Sequence, residues 1–385
     1  MKILQVIEFF TPRKGGSVNS VYNLSKELAK KGHDVTIITT DFEFDTQYAE
    51  SIEKENVIVI PFHCIINIGL FLVSPSMNKW LKENIKDFDI VHMHNFRTYQ
   101  NIIVSYYAKE YNIPYILQAH GSVLPFFTRL VYKKFFDLVW GKRILLFSSS
   151  FIAVSNKEVN QYKEMGIKTE KIIIIPNGIE VLSENEKKQE KGYFRKKYKI
   201  FDDFLILYLG RIHKIKGIGF LIQAFKELTN QVSNVHLVII GPDEGYYNNV
   251  IEIIKNNKLY DKISLIDFLD GTEKYAAYYD SDVFIYPSQY EIFGISPFEA
   301  LQFNTPIIVS DGCGCGDLVK SANCGNVVRY NDIDDLVQNI TGLINDRNMS
   351  ANYIKNGKKY IADYLTWEII AKDVELVYED CICNF

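Results

Sequence analysis

Two carboxylates, Glu291 and Glu299, frame the run Glu291-Ile292-Phe293-Gly294-Ile295-Ser296-Pro297-Phe298-Glu299. An apolar strand, Val283–Tyr286, leads into this run and a helix leaves it, with Pro297 suited to the first turn. Backbone N–H groups at such an opening attract anions, and Gly294 allows a phosphate to approach closely. With one carboxylate in a loop and one in a first helical turn, the pair can bracket a ligand rich in hydroxyls. Glu299 also has a local reading, because Ser296-x-x-Glu299 spells a capping box in which the acid returns to its own N-cap.

A second cluster, Gly210-Arg211-Ile212-His213-Lys214-Ile215-Lys216-Gly217, again follows a strand and precedes a helix. There Arg211 offers a planar fork and Lys216 a point charge, and both suit a diphosphate. Gly15-Gly16 occupies the first strand-to-helix loop, either as a tight turn or as a close backbone approach to a phosphate or an acceptor. His120-Gly121 ends a strand, where an imidazole can face a ligand.

The elements that position these residues alternate. In the first half, strands are expected at Ile3–Phe9, Val35–Thr40, Val57–Pro61, Ile90–His92, Tyr115–Gln118, Phe151–Val154 and Ile172–Pro176. Helical periodicity lies between most of them, as in Val18, Val21, Leu24 and Leu28. The pattern breaks at Pro176-Asn177-Gly178 and a Lys/Glu-rich run, Ser183–Lys199. It restarts with Phe204–Leu209, Val235–Ile240, Ile263–Phe268, Val283–Tyr286 and Ile307–Val309. Such alternation implies two parallel, doubly wound α/β units. Ligands of open α/β sheets bind beyond the carboxyl ends of strands, so a cleft between the halves is the expected site.

Taken together, Gly15-Gly16, His120-Gly121, Gly210-Arg211-x₄-Lys216-Gly217 and Glu291-x₇-Glu299 resemble glycosyltransferase family 4, retaining enzymes of the GT-B fold. Ala153-Val154-Ser155, Ile175-Pro176-Asn177-Gly178-Ile179, Ile240-Gly241 and Asp282–Ser288 extend the resemblance along nearly the whole chain. It implies two Rossmann-like domains facing across a cleft. Residues 1–182 would bind the acceptor, 183–365 the nucleotide sugar, and a helix within 366–385 would cross back to the first domain. It also implies roles: Arg211 and Lys216 on the donor diphosphate, Glu299 on the ribose hydroxyls, and Glu291 with the Phe293, Gly294, Ile295 and Ser296 backbone on donor sugar and phosphates. Gly15 and Gly16 would lie near the phosphates or acceptor, and His120 near the transferred sugar. Retention would proceed by front-face attack with no enzymic nucleophile, the departing phosphate helping to deprotonate the acceptor. Same-fold alternatives are a nucleotide-sugar epimerase, a phosphorylase or an inactive scaffold.

Composition narrows the field. The net charge of −4 divides into +3 on residues 1–180 and −7 on the rest, with no basic stripe for nucleic acid. No run of about 18 apolar residues exists to span a membrane. The six cysteines read as reduced cytosolic thiols, and their C-x-C spacings do not suit structural zinc. Of Asp87-x-Asp89, Asp280-x-Asp282 and Asp332-x-Asp334, the first two precede strands as turns do, and with Arg211 and Lys216 available neither metal nor cofactor is expected beside the donor substrate. Gly217-x-Gly219 and Gly312-x-Gly314-x-Gly316 lack the spacing of a dinucleotide fingerprint. Finally, Val123–Ser150 mixes Phe126, Phe127, Leu130, Val131, Phe135, Phe136 and Trp140 with Arg129, Lys133, Lys134, Lys142 and Arg143. This reads either as a core helix or as a contact of the first domain with a membrane carrying a lipid-linked acceptor. The expected location is the cytoplasm, at the inner face of the membrane if that contact forms.

Overall fold

The computed structural model describes residues 1–69, 71–124, 130–183, 190–201, 203–269 and 271–385. Two compact units divide it: Met1–Gly178 with Trp367–Phe385, and Ile179–Thr366. Most of the Ser183–Lys199 run's first half, residues 184–189, lies outside the described residues, as do Phe126, Phe127 and Arg129.

The first unit is built on β1 (Lys2–Val6), β2 (Asp34–Thr40), β3 (Val57–Phe62), a hairpin of β4 (Ile66–Ile68) and β5 (Phe71–Val73), then β6 (Ile90–His94), β7 (Tyr115–Gln118), β8 (Ser150–Ala153) and β9 (Ile172–Ile174). Its seven-stranded sheet runs β3-β2-β1-β6-β7-β8-β9, and all neighbouring strands are parallel. Alternation splits each strand between two cores. Ile3 and Ile7 join Val35, Ile37 and Ile90 on one face, while Leu4 and Val6 join Ile38, Val91 and Met93 on the other. The antiparallel hairpin is absent from the expected strands, because three-residue strands carry too little periodicity to register.

Helix Gly16–Lys30 buries Val18, Val21, Leu24 and Leu28 on the first of those faces. The terminal helix, Trp367–Cys383, packs on the same face through Trp367, Ile370, Val374, Val377 and Tyr378. It is therefore part of the first unit's core, as its early apolar residues require.

The second unit carries β10 (Phe204–Leu209), β11 (Val235–Ile240), β12 (Ile263–Ile266), β13 (Val283–Tyr286), β14 (Ile307–Ser310) and β15 (Asn326–Val328) in the order β12-β11-β10-β13-β14-β15, all parallel. Only β15 is missing from the expected strands, since Asn326-Val327-Val328 is short and opens with a turn-former. Both sheets reverse their winding beside their first strand, between β1 and β6 and between β10 and β13. Those reversals are where an open α/β sheet leaves a crevice for a ligand.

Gly178 tests the packing of the terminal helix. A Cβ placed there would lie 2.3 Å from the Trp367 ring. Gly178→Ala is expected to destabilise the protein by about 1–3 kcal/mol, as overpacking of a filled core does. Urea unfolding monitored by tryptophan fluorescence checks it; an unchanged midpoint would mean the helix can shift freely.

Candidate functional site

In the second unit the loops beyond the strands are laced together in sheet order. Beyond β11, Glu244 N donates to Ile212 O beyond β10 (3.0 Å), and Ile212 N returns to Pro242 O (2.8 Å). Gln289 N, beyond β13, donates to Ile215 O (2.9 Å). The loop beyond β14 then grips the same segment: Gly314 N donates to Glu291 O and Cys315 N to Phe293 O, both at 2.8 Å. Gly294 sits inside this lacing at φ +94°, and a Cβ there would meet Cys313 Sγ at 2.8 Å, so the position admits glycine alone. Gly312, set aside as part of a fingerprint, packs against the carbonyls of Ser288 and Gln289.

This lacing sets four charges around the β10/β13 crevice. Lys216, 4% exposed, pairs with Glu291, and the Tyr286 hydroxyl donates to the same carboxylate oxygen at 2.8 Å. Burial would raise the Glu291 carboxyl, but Lys216, Tyr286 and Arg211 outweigh it and hold it below its ordinary value. Arg211 Nη1 reaches both Glu244 oxygens at 2.8 and 2.9 Å. The two cations thus stand near one strand end, as the Arg211-x₄-Lys216 spacing suggests, but each is engaged by a carboxylate rather than bare.

Glu299 departs from its local reading. Helix Ser296–Gln302 has Ile295 as N-cap, with no side-chain capping bond among the described residues. The Glu299 carboxylate instead accepts from Lys274 Nζ (3.1 Å) and the buried Tyr278 hydroxyl (2.9 Å). Ser296 lies too far into the helix to serve as the cap, so the box cannot close. Lys274, Tyr278 and Glu244 are the residues here that sequence reasoning passed over; only Glu244, an acid just past Ile240-Gly241, carried a positional signal.

In the first unit, Gly15 caps helix Gly16–Lys30 at φ +86°, and Asn95, beyond β6, donates to Ser17 Oγ (3.4 Å) and to Glu8 Oε1 (2.9 Å) beyond β1. Asn95, Arg97 and His120 all hold left-handed backbones at this edge, φ +60°, +66° and +49°. Such conformations persist only where surroundings over-determine them. Arg97 does so here, binding Asp137 twice at 2.8 Å and the carbonyls of Ser122 and Val123, which anchors the loop that carries His120. Glu158 receives Gly121 N (2.6 Å) and Val154 N (2.8 Å). His120 Nε2 meets His94 Nδ1 at 3.0 Å. The polar residues at core positions of β1 and β6, Gln5, His92 and His94, were the available signal for this cluster.

The Asp-x-Asp pairs are occupied locally. Asp280 accepts from the Gly192 and Phe194 amides, Asp282 from Leu205 N and Arg195, Asp89 from Lys2 N, and Asp332 caps a helix through Asp335 N. All six cysteines are free thiols, with Cys313 and Cys315 sulfurs 3.1 Å apart.

Comparison with known proteins covers both units. The family model for glycosyl transferases group 1 matches residues 190–360, and that for Glycosyltransferase Family 4 matches 14–181. An O-antigen biosynthesis glycosyltransferase, WclY of Escherichia coli, is 28% identical across 81% of this chain and 80% of its own. The alpha-monoglucosyldiacylglycerol synthase of Acholeplasma laidlawii is 27% identical across 99% and 98%. Among solved structures, Anabaena Alr3699/HepE in complex with UDP and glucose superposes with a TM-score of 0.80 at 16% identity, over 99% of this chain and all of that one.

Glu8 offers a check on the first unit's edge. Its Oε2 is buried without a hydrogen-bond partner among the described residues, and burial raises its carboxyl to about 7 despite the Asn95 bond. The folded state then keeps a proton that the unfolded chain releases near 4.5, so this group's contribution to stability falls as pH rises from about 4.5 to about 7. Glu8→Gln is expected to gain stability relative to the parent at pH 8 over pH 5, by up to about 3 kcal/mol. Denaturant unfolding at both pH values measures it; a pH-independent difference would mean an ordinary carboxyl.

Proposed function

The chain is a glycosyltransferase of family 4 with the GT-B fold, and we propose that it is a retaining, metal-independent hexosyltransferase. Its donor is a UDP- or GDP-sugar and its acceptor a glycan or lipid-linked acceptor in surface polysaccharide or glycolipid synthesis. The observation that carries this reading is the pair of ion-paired cations, Arg211 and Lys216, beside Glu291 at the winding reversal of the second unit.

Cleaving a sugar–diphosphate bond builds negative charge on the leaving phosphate and positive charge on the sugar ring. Preformed cations stabilise the first, and because Glu244 and Glu291 already orient them, little reorganisation is left for the reaction. A diphosphate takes over Arg211 from Glu244, an exchange made easy by their half-exposed position. Glu291, held ionised by Lys216, faces the positive end of the same dipole. Glu299 meets the ribose hydroxyls with its geometry set by Lys274 and Tyr278. The leaving phosphate accepts the acceptor's proton on the face it departs from. The relatives' names, an O-antigen transferase and a glycolipid synthase, support the acceptor class.

A membrane contact belongs to the same reading. No described helix is long and apolar enough to cross a bilayer. In the first unit, however, Val131, Phe135 and Leu138, spaced i, i+4, i+7, are 84, 55 and 70% exposed, while Phe136 turns into the core. Lys134, Lys142 and Arg143 lie on the same stretch, so the outward stripe pairs apolar area with positive charge, as an interfacial helix does. Such a stripe suits the anionic cytoplasmic leaflet, which supports a location at that face.

Titration calorimetry with UDP, GDP and ADP in EDTA tests the donor site. One of them is expected to bind, and Arg211→Ala to lose roughly tenfold or more, as removal of a charged hydrogen-bonding group does. Silence from all three would overturn the reading. Co-sedimentation with vesicles of anionic phospholipid at low salt tests the contact: the protein should pellet with them, and Val131→Glu with Leu138→Glu should not. Equal pelleting of both would remove the stripe's role.

A further inference from the structure

Alternation along β1 and β6 assigns Gln5, His92 and His94 to the face covered by helix Trp367–Cys383. Gln5 lies between the core residues Ile3 and Ile7, and His92 and His94 follow Ile90, another residue of that core. The parallel register sets Gln5 opposite His92. These are positions that an apolar core fills, yet all three side chains are buried and polar. A buried polar group costs stability unless it is hydrogen-bonded, so their partners explain why they can be there.

The partners form one continuous run. Gln5 Nε2 donates to the Tyr378 hydroxyl (3.0 Å), which is also hydrogen-bonded to His92 Nδ1 (2.8 Å). In the other direction, His94 Nε2 donates to Gln5 Oε1 (2.7 Å), which leaves His94 Nδ1 to accept from His120 Nε2 (3.0 Å). From Gln5 to His120 the direction is fixed. An amide oxygen only accepts, an amide nitrogen only donates, and a neutral imidazole has one nitrogen of each kind. Burial keeps the three imidazoles neutral: His92 and His94 titrate well below the ordinary value, and His120 at about 3. The rings of His94 and His120 stack at 5.3 Å, so the second cannot swing without breaking the bond to the first. One end of the run is His92 Nε2, buried without a partner among the described residues; the other is His120 Nδ1, in the loop that Arg97 anchors.

We propose that Gln5, His94 and Tyr378 are positioning residues that act through His120, locking it as the Nε2–H tautomer so that Nδ1 meets the transferred sugar as a hydrogen-bond acceptor. The sugar in this statement rests on the transferase reading; the tautomer does not. A bare Nδ1 favours a sugar hydroxyl and disfavours a carboxylate or carbonyl oxygen at that point. Because both bonds from Gln5 to His120 take their sense from one amide, His94 and His120 share a tautomer. Turning Gln5 over would convert each to Nδ1–H and replace the acceptor with a donor.

Protein labelled with ¹⁵N-histidine and free of ligand tests this by long-range ¹H–¹⁵N correlation. At neutral pH His92, His94 and His120 are expected to be neutral, with His94 and His120 both Nε2–H. A charged or Nδ1–H His120 would overturn the proposal. Tyr378→Phe keeps the ring but removes the hydroxyl that orients the amide. It is expected to give mixed tautomers at His120 and roughly fivefold lower turnover, about the worth of one hydrogen bond, with unchanged affinity for whichever of UDP, GDP or ADP binds. A single unchanged tautomer in that variant would remove the relay, and mixed tautomers with full turnover would remove its action through His120. The spectra need neither donor nor acceptor, so this proposal and the transferase reading fail separately.

Discussion

Parallel strand polarity is the constraint on which the rest depends. Every strand of a parallel sheet ends on the same edge, so every loop that leaves a carboxyl end is a neighbour of the next. In the second unit this turns four loops, distant in sequence, into one hydrogen-bonded band, from Glu244 through Ile212 and Gln289 to Cys315. Without that edge, Arg211, Lys216, Glu244 and Glu291 would be scattered charges. With it, they stand around a crevice that the winding reversal leaves open.

A second constraint follows from the first. Cations gathered at a strand end lose water, and Lys216 has lost nearly all of it. A buried ammonium must be paired, which is why Glu291 and Tyr286 converge on it. The half-exposed Arg211 carries a smaller burden, and its Glu244 partner sits in a more yielding setting. The pairs therefore differ in how readily they can exchange: a fixed Lys216–Glu291 core beside a looser Arg211–Glu244 arm.

The strands other than β4, β5 and β15, the two-unit alternation and the loops bearing Gly15-Gly16, Arg211–Lys216 and Glu291–Glu299 were legible in the sequence, because each rests on local periodicity or on residues adjacent in the chain. The capping box at Ser296 and Glu299 was legible too, and wrong: an i, i+3 pattern says only that a bond is possible, and the helix begins one residue too early to make it. Lys274 and Tyr278, twenty-odd residues upstream, then claim the carboxylate. The stripe at Val131, Phe135 and Leu138 had two readings in the sequence, and the core reading does not hold for these three residues because they face outward, whereas Phe136 keeps it. Glu8 and Asn95 gave no signal as a site because their association depends on β1 and β6 lying side by side, eighty-odd residues apart in the chain.

By itself, then, the sequence determined which segments are strands and helices, where the chain breaks into two units, and which loops carry glycines, cations and acids. Those properties come from hydrophobic period and backbone preference, which act over a few residues. Tertiary structure decided who pairs with whom: Glu244 with Arg211, Lys274 with Glu299, and Tyr378 with Gln5 across 373 positions of chain. Pairing is decided there because desolvation depends on what surrounds a group in space. A charge or an imidazole has no fixed partner, protonation state or direction of hydrogen bonding until the packed core has taken its water away.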